Sequence, residues 1–202
     1  MNHEGSDVDV VRVFAARTDD ILIGKVPNSK FRYHMSDDEF KLRYHFSILK
    51  AHSFPDSEID VTEWELGMFT HQLEKGNINA YWVIFSPHVT CDGWSWTTGA
   101  FDSLRKILEM NPTPGRIWRS VKGIAHNSLR TGATDKKKRM VMRTLFQFEH
   151  YVKTGEFRWD WDEVEFDIGA KIDELDEIVP QPEEQLDLSD WLLRVRKHEA
   201  LA

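Results

Sequence analysis

The run Asp7-Val8-Asp9-Val10-Val11-Arg12-Val13-Phe14 does most to limit the folds open to this chain. From Val8 to Phe14 it is dense in β-branched residues, which are stiff at χ1 and pack well on a pleated surface, so it reads as a strand. Side chains two apart on a strand share a face, so Asp7 and Asp9 project together. Two carboxylates held so close repel each other unless a cation sits between them, and an oxygen-only pair suits Mg²⁺ or Mn²⁺. A further carboxylate, Asp60, stands in a second short apolar run, Ile59-Asp60-Val61. Three acids on neighbouring strands are what two-metal phosphoryl or nucleotidyl transfer needs. The same residues also fit a plainer role, as solvated acids at an exposed strand end.

With 202 residues the chain has room for one sizeable domain, or a small domain with a helical appendage. Its net charge of −8 opposes broad coating of nucleic acid but leaves room for a local basic site. The single cysteine, Cys91, excludes a disulfide within the chain and argues against a cysteine-based zinc site. That usage suits a reducing cytoplasm. No apolar run approaches a membrane span and the N-terminus has no signal-peptide core, so a cytoplasmic protein without a membrane partner is expected. The eight tryptophans read as core and helix-packing residues.

Along the chain, the first strand is followed by a polar stretch with Pro27 and Asn28. Ser36-Asp37-Asp38-Glu39 has the spacing of a capping box, which predicts a helix running to about Lys50. Pro55-Asp56-Ser57 is a turn, and the Asp60 strand follows. Thr62 is expected to cap a helix over Glu63–Lys75, ended by Gly76. Asn79–Phe85 reads as a short apolar helix stopped by Pro87. Beyond residue 97 the pattern is helical. Phe101, Leu104 and Leu108 form one stripe; Ile117, Val121 and Ile124 a second, stopping near Gly132; Val141, Leu145, Phe148 and Val152 a third, capped by Gly155. Residues 160–187 are strongly acidic with a Pro180-Gln181-Pro182 break, and Ser189 opens a last short helix. The expected organisation is an α+β unit over residues 1–96 that carries the chemistry, then a helical region over 97–202 with an acidic tail, forming one wall of a cleft.

Three blocks in this order resemble the polymerase-β-type nucleotidyltransferase superfamily, in particular its small bacterial and phage members. Ser6-Asp7-Val8-Asp9 is similar to the family's paired metal-binding aspartates. Ile59-Asp60-Val61-Thr62-Glu63-Trp64-Glu65-Leu66, running into Leu73-Glu74-Lys75-Gly76-Asn77-Ile78-Asn79-Ala80, resembles the third-carboxylate strand, its helix and a Gly-Asn turn. Lys138 to Gly155, with Arg143 inside and Thr154-Gly155-Glu156 at its end, resembles a basic C-terminal helix. The resemblance implies a small mixed β-sheet nucleotidyltransferase core followed by C-terminal helices. It also implies a Mg²⁺ (or Mn²⁺) cofactor and an NTP substrate. The reaction would move a nucleoside monophosphate to an RNA end, a small molecule or a protein. Asp7, Asp9 and Asp60 would be the metal-binding and catalytic residues, Asp60 also helping to remove the acceptor's proton. Ser6, Asn77, Lys138 and Arg143 would contact nucleotide. Lys138 and Arg143 are five apart, about 140° around a helix, so both cannot face one cleft, and Arg143 is the better phosphate ligand. Asn77 suits a turn role better than a nucleotide contact.

The chain departs from that pattern at its start. The family carries a Gly-Ser turn ahead of the aspartates that binds triphosphate, and Met1-Asn2-His3-Glu4 leaves no room for it or for the first strand of the sheet. Either the start lies inside a longer reading frame, which the connector-like Asn2–Ser6 favours, or the chain is a short form with impaired triphosphate binding. The alternative function is a degenerate nucleotidyltransferase fold acting as a nucleotide-binding or regulatory module, antitoxin-like, with a toxin-like partner. A phage-encoded chain would act in the host cytoplasm. His88 with Cys91, and His126, read as structural or surface residues rather than ligands.

Overall fold

The computed structural model describes residues 8–16, 18–25, 31–36, 38–39, 59–87, 95–130, 132, 134–159, 166–181 and 185–199. Strands β1 (Val8–Phe14), β2 (Phe31–Met35) and β3 (Ile59–Glu65) form one mixed sheet in the order β1-β3-β2. β3 runs parallel to β1 and antiparallel to β2. The helices among the described residues are α1 (Thr18–Leu22), α2 (Leu66–Glu74), α3 (Ile78–Phe85), α4 (Ser95–Met110), α5 (Pro114–Arg130), α6 (Asp135–Thr154), α7 (Ile168–Ile178) and α8 (Ser189–Glu199). The chain is thus α+β, mostly helical with a small sheet. It divides into two units, one of Met1–Thr70 with Leu192–Ala202 and one of His71–Trp191. The expected boundary at residue 96 lies within the second unit.

In the first unit the sheet is built on β3. As the central strand it has a neighbour on each side, and Ile59 and Val61 are fully buried on it, with Trp64 at its end. Trp64 packs on Phe69 of α2 with ring centroids 5.6 Å apart. The strand extends through Glu65, because the ladder with β1 continues to Phe14 opposite Glu65. This corrects the expectation that Thr62 caps a helix from Glu63. Seven consecutive cross-strand partners outweigh one local capping signal, and α2 starts only at Leu66. Glu65 takes the capping part instead, accepting the Gly67 N–H on Oε2 at 2.6 Å. The stretch between β1 and residue 36, which reads as polar with no element assigned, contains α1 and β2. β2 carries no apolar run of its own and exists through its pairing with β3. The capping box is present: Ser36 N–H donates to Glu39 Oε2 at 2.8 Å and Glu39 N–H donates to Ser36 Oγ at 3.3 Å. That bond to the Ser36 backbone holds the Glu39 carboxyl below its ordinary pKa. The remainder of the helix expected to follow, and the Pro55 turn, lie outside the described residues.

The second unit is helical, and its element ends follow local chemistry. Asn77 caps α3 by accepting the Asn79 N–H at 3.0 Å. Pro114 opens α5, where a missing N–H costs no helical bond. Thr134 caps α6, and Gly155 closes it in the left-handed conformation (φ 79°), donating to the Tyr151 carbonyl. Asp167 caps α7. The three expected stripes supply core: Leu104 and Leu108 on α4, Ile117 and Val121 on α5, and Val141, Leu145 and Phe148 on α6 are buried. Each such side chain contributes about 1.5–3 kcal/mol relative to exposure. Trp118 stacks on Phe148 at 5.3 Å and 12°, joining α5 to α6, and donates its indole N–H to Asp176 of α7 at 2.7 Å. Trp118 and Trp191 are buried, in keeping with a packing role.

Candidate functional site

The parallel pairing of β1 with β3 sets Asp9 directly opposite Asp60. The antiparallel pairing of β2 with β3 sets His34 opposite the same residue. Register partners on adjacent strands share a face, and strands lie about 4.8 Å apart. Asp9, Asp60 and His34 therefore form one row across the sheet. Asp60 is 3% exposed and is flanked by the fully buried Ile59 and Val61, whereas Asp9 and His34 on the outer strands are exposed. Such a row presents one shielded carboxylate and one open to solvent side by side. On the opposite face of the ladder, Arg12 donates to Glu63 at 2.8 Å. That pair compensates the burial of Glu63 and holds the register three residues beyond Asp9.

Of the residues singled out from the sequence, Asp9 and Asp60 are the two that the described sheet brings together. Ser6 and Asp7 lie outside the described residues, as do His88 and Cys91. Asn77 belongs to the second unit, and its side chain is engaged twice: Oδ1 on the α3 cap and Nδ2 donating to Gln72 Oε1 at 2.8 Å. It has the turn role. Lys138 and Arg143 are both exposed on α6, on different faces of that helix, and His126 is exposed on α5. His34 was missed. Its one signal is the Phe-Arg-Tyr-His-Met run, whose meaning depends on a register that no local pattern reveals.

A Mg²⁺ ion takes one or two protein carboxylates and completes an octahedron with water and substrate phosphates. Asp9 and Asp60, in register on one face, fit that requirement as a two-carboxylate donor set. Among the described residues no group of three His, Cys, Asp or Glu side chains gathers to hold a metal ion. No helix among them is long and apolar enough to cross a membrane. No family model, curated protein or solved structure matches the chain.

Proposed function

We propose that this chain is a Mg²⁺-dependent nucleotidyltransferase that moves a nucleoside monophosphate from an NTP to an acceptor hydroxyl. The observation that carries the reading is the alignment of Asp9 with Asp60 across the parallel β1–β3 ladder. The resemblance of three sequence blocks to the polymerase-β-type superfamily supports it from a separate direction. In this reading Asp9 and Asp60 would hold Mg²⁺, with Asp7 as the third carboxylate that the sequence resemblance implies. Bound Mg²⁺ would supply charge neutralisation on the triphosphate and a lowered pKa for the attacking hydroxyl. The acceptor oxygen forms a bond to the α-phosphorus while the bond to the bridging oxygen breaks and pyrophosphate leaves. Asp60, shielded from bulk water, orients the acceptor and accepts its proton on a carboxylate oxygen.

Incubation with α-labelled NTPs, Mg²⁺ and cellular RNA, small-molecule and protein fractions tests the reading. Label is expected on one fraction with the wild type and at background with Asp9→Asn and with Asp60→Asn, both near-isosteric changes. Transfer that persists in both variants, or no transfer by the wild type with any fraction, would overturn it.

A further inference from the structure

Three cations on α6 recur at i, i+3 and i+7: Lys136, Arg139 and Arg143. At 100° per residue they fall within about 60° of one another, a stripe about 10 Å long. All three are exposed, and among the described residues none makes an ion pair. The half-buried Phe146 continues the same face one turn on, and the Arg158 guanidinium lies over its ring at 5.6 Å. The buried side of α6, with Val141, Leu145 and Phe148, faces the other way.

Among the described residues no acid pairs with the stripe. Residues 97–158 hold thirteen lysines and arginines against five acids, whereas residues 160–190 hold thirteen acids and one lysine. The described part of that acidic stretch does not cover the stripe. Asp176 on α7 bonds Trp118 and Lys122 of α5, and Glu174 pairs with Lys171. Glu149 on α6 is held by Lys153 and by Lys171. Lys136 and Arg139 also stand at the N-terminal end of their helix, where the dipole disfavours positive charge. Helix stability does not account for them.

We propose that this stripe docks a single-stranded polynucleotide by its phosphate backbone. Regularly spaced cations beside an aromatic ring and a guanidinium plane are the combination that holds a strand and stacks its bases without reading sequence. A membrane-surface helix would instead need a broad exposed apolar face beside its cations, and the apolar face of α6 is buried. That the polynucleotide serves as acceptor rests on the transfer reading above; the binding does not.

Fluorescence anisotropy of a labelled 20-nucleotide single strand, titrated with the full chain across a salt series without Mg²⁺, tests the proposal. The logarithm of the binding constant should fall linearly with the logarithm of salt. The triple variant Lys136→Gln, Arg139→Gln, Arg143→Gln should flatten that slope by about 2, at about 0.7 for each phosphate it no longer neutralises. The charge-matched triple Lys75→Gln, Lys106→Gln, Arg119→Gln, also exposed in the second unit, should leave the slope unchanged. The titration contains neither Mg²⁺ nor NTP and reads binding alone, which separates this result from any failure of the transfer reading. Removing charge from a helix N-terminus favours the helix, and far-ultraviolet circular dichroism should confirm unchanged helicity. The proposal is overturned by no binding at low salt, by equal slopes for wild type and stripe variant, by an equal loss in the control triple, or by wild-type binding to anionic vesicles but not to the oligonucleotide.

Discussion

Arg196 Nη2 donates to Glu65 Oε1 at 2.6 Å, joining residues 131 positions apart. The bond ties α8 to the end of β3 within the first unit, so the last helix of the chain completes the fold of its first strands. Arg196 also reaches the Ala16 carbonyl at 3.4 Å. The pair is largely shielded, with side-chain exposures of 20% and 10%. Arg196→Met should therefore leave a shielded carboxylate without its cation and destabilise the first unit by about 3 kcal/mol. Glu65→Gln should cost less, because the amide oxygen still accepts the Gly67 N–H. Urea denaturation of both variants, followed by tryptophan fluorescence, measures the difference.

Gly76 follows α2 with φ 74°, and a Cβ there would meet the Arg116 backbone carbon at 2.5 Å. Arg116 is fixed in place by its own bond from Nη1 to the Glu74 carbonyl at 2.6 Å. Gly76→Ala thus combines left-handed strain with a clash against backbone, and should cost about 3 kcal/mol. Gly155→Ala carries similar strain (φ 79°) with none of the described residues within 4 Å of the added carbon, and should cost about 1 kcal/mol. Thermal midpoints of the two variants give the comparison.

Stability should fall at acid pH through Glu149. Its partial burial raises the carboxyl, but bonds from Lys153 and Lys171 outweigh burial and hold it below the ordinary 4.5. A carboxyl depressed in the folded state contributes stability above its unfolded pKa and loses it as pH falls through the folded value. Urea midpoints should therefore drop from about pH 4.5 downward. Lys171→Met should flatten that dependence. Lys171 itself is lowered by burial and raised more strongly by Glu174 and Glu149, so its contribution is lost only as pH rises past 10.5.

Gln147 is 1% exposed on α6, and neither atom of its amide has a hydrogen-bond partner among the described residues. A buried amide without partners forfeits its hydration for nothing, at about 1–3 kcal/mol per unsatisfied group. Gln147→Met, close in volume and shape, should raise the urea midpoint by an amount equal to at least about 1 kcal/mol. An unchanged or lowered midpoint would mean the amide is satisfied in solution.

Much of the helical half is legible in the sequence. Most of the stripe residues on α4, α5 and α6 are buried, with Phe101, Ile124 and Val152 partly exposed; Gly155 closes α6, and the Ser36–Glu39 box forms. The strands were less so. Val8–Phe14 and the Asp60 run were readable from composition. β2 was not, because Phe31–Met35 gains its structure from pairing with β3. The Thr62 cap misled for the same reason: its local signal competes with a ladder that extends to Glu65.

The sequence by itself determined the apolar stripes of α4, α5 and α6, the Ser36–Glu39 box and the Gly155 stop, because a helix bonds each residue to one four positions away and its code is local. Only the tertiary structure decided that Asp9 stands opposite Asp60 with His34 on the far side. It also decided that Lys136, Arg139 and Arg143 of α6 are exposed and pair with none of the acids among the described residues. Those relations join side chains tens of residues apart. They depend on strand register and on which face of a helix is buried, quantities no short window of sequence carries.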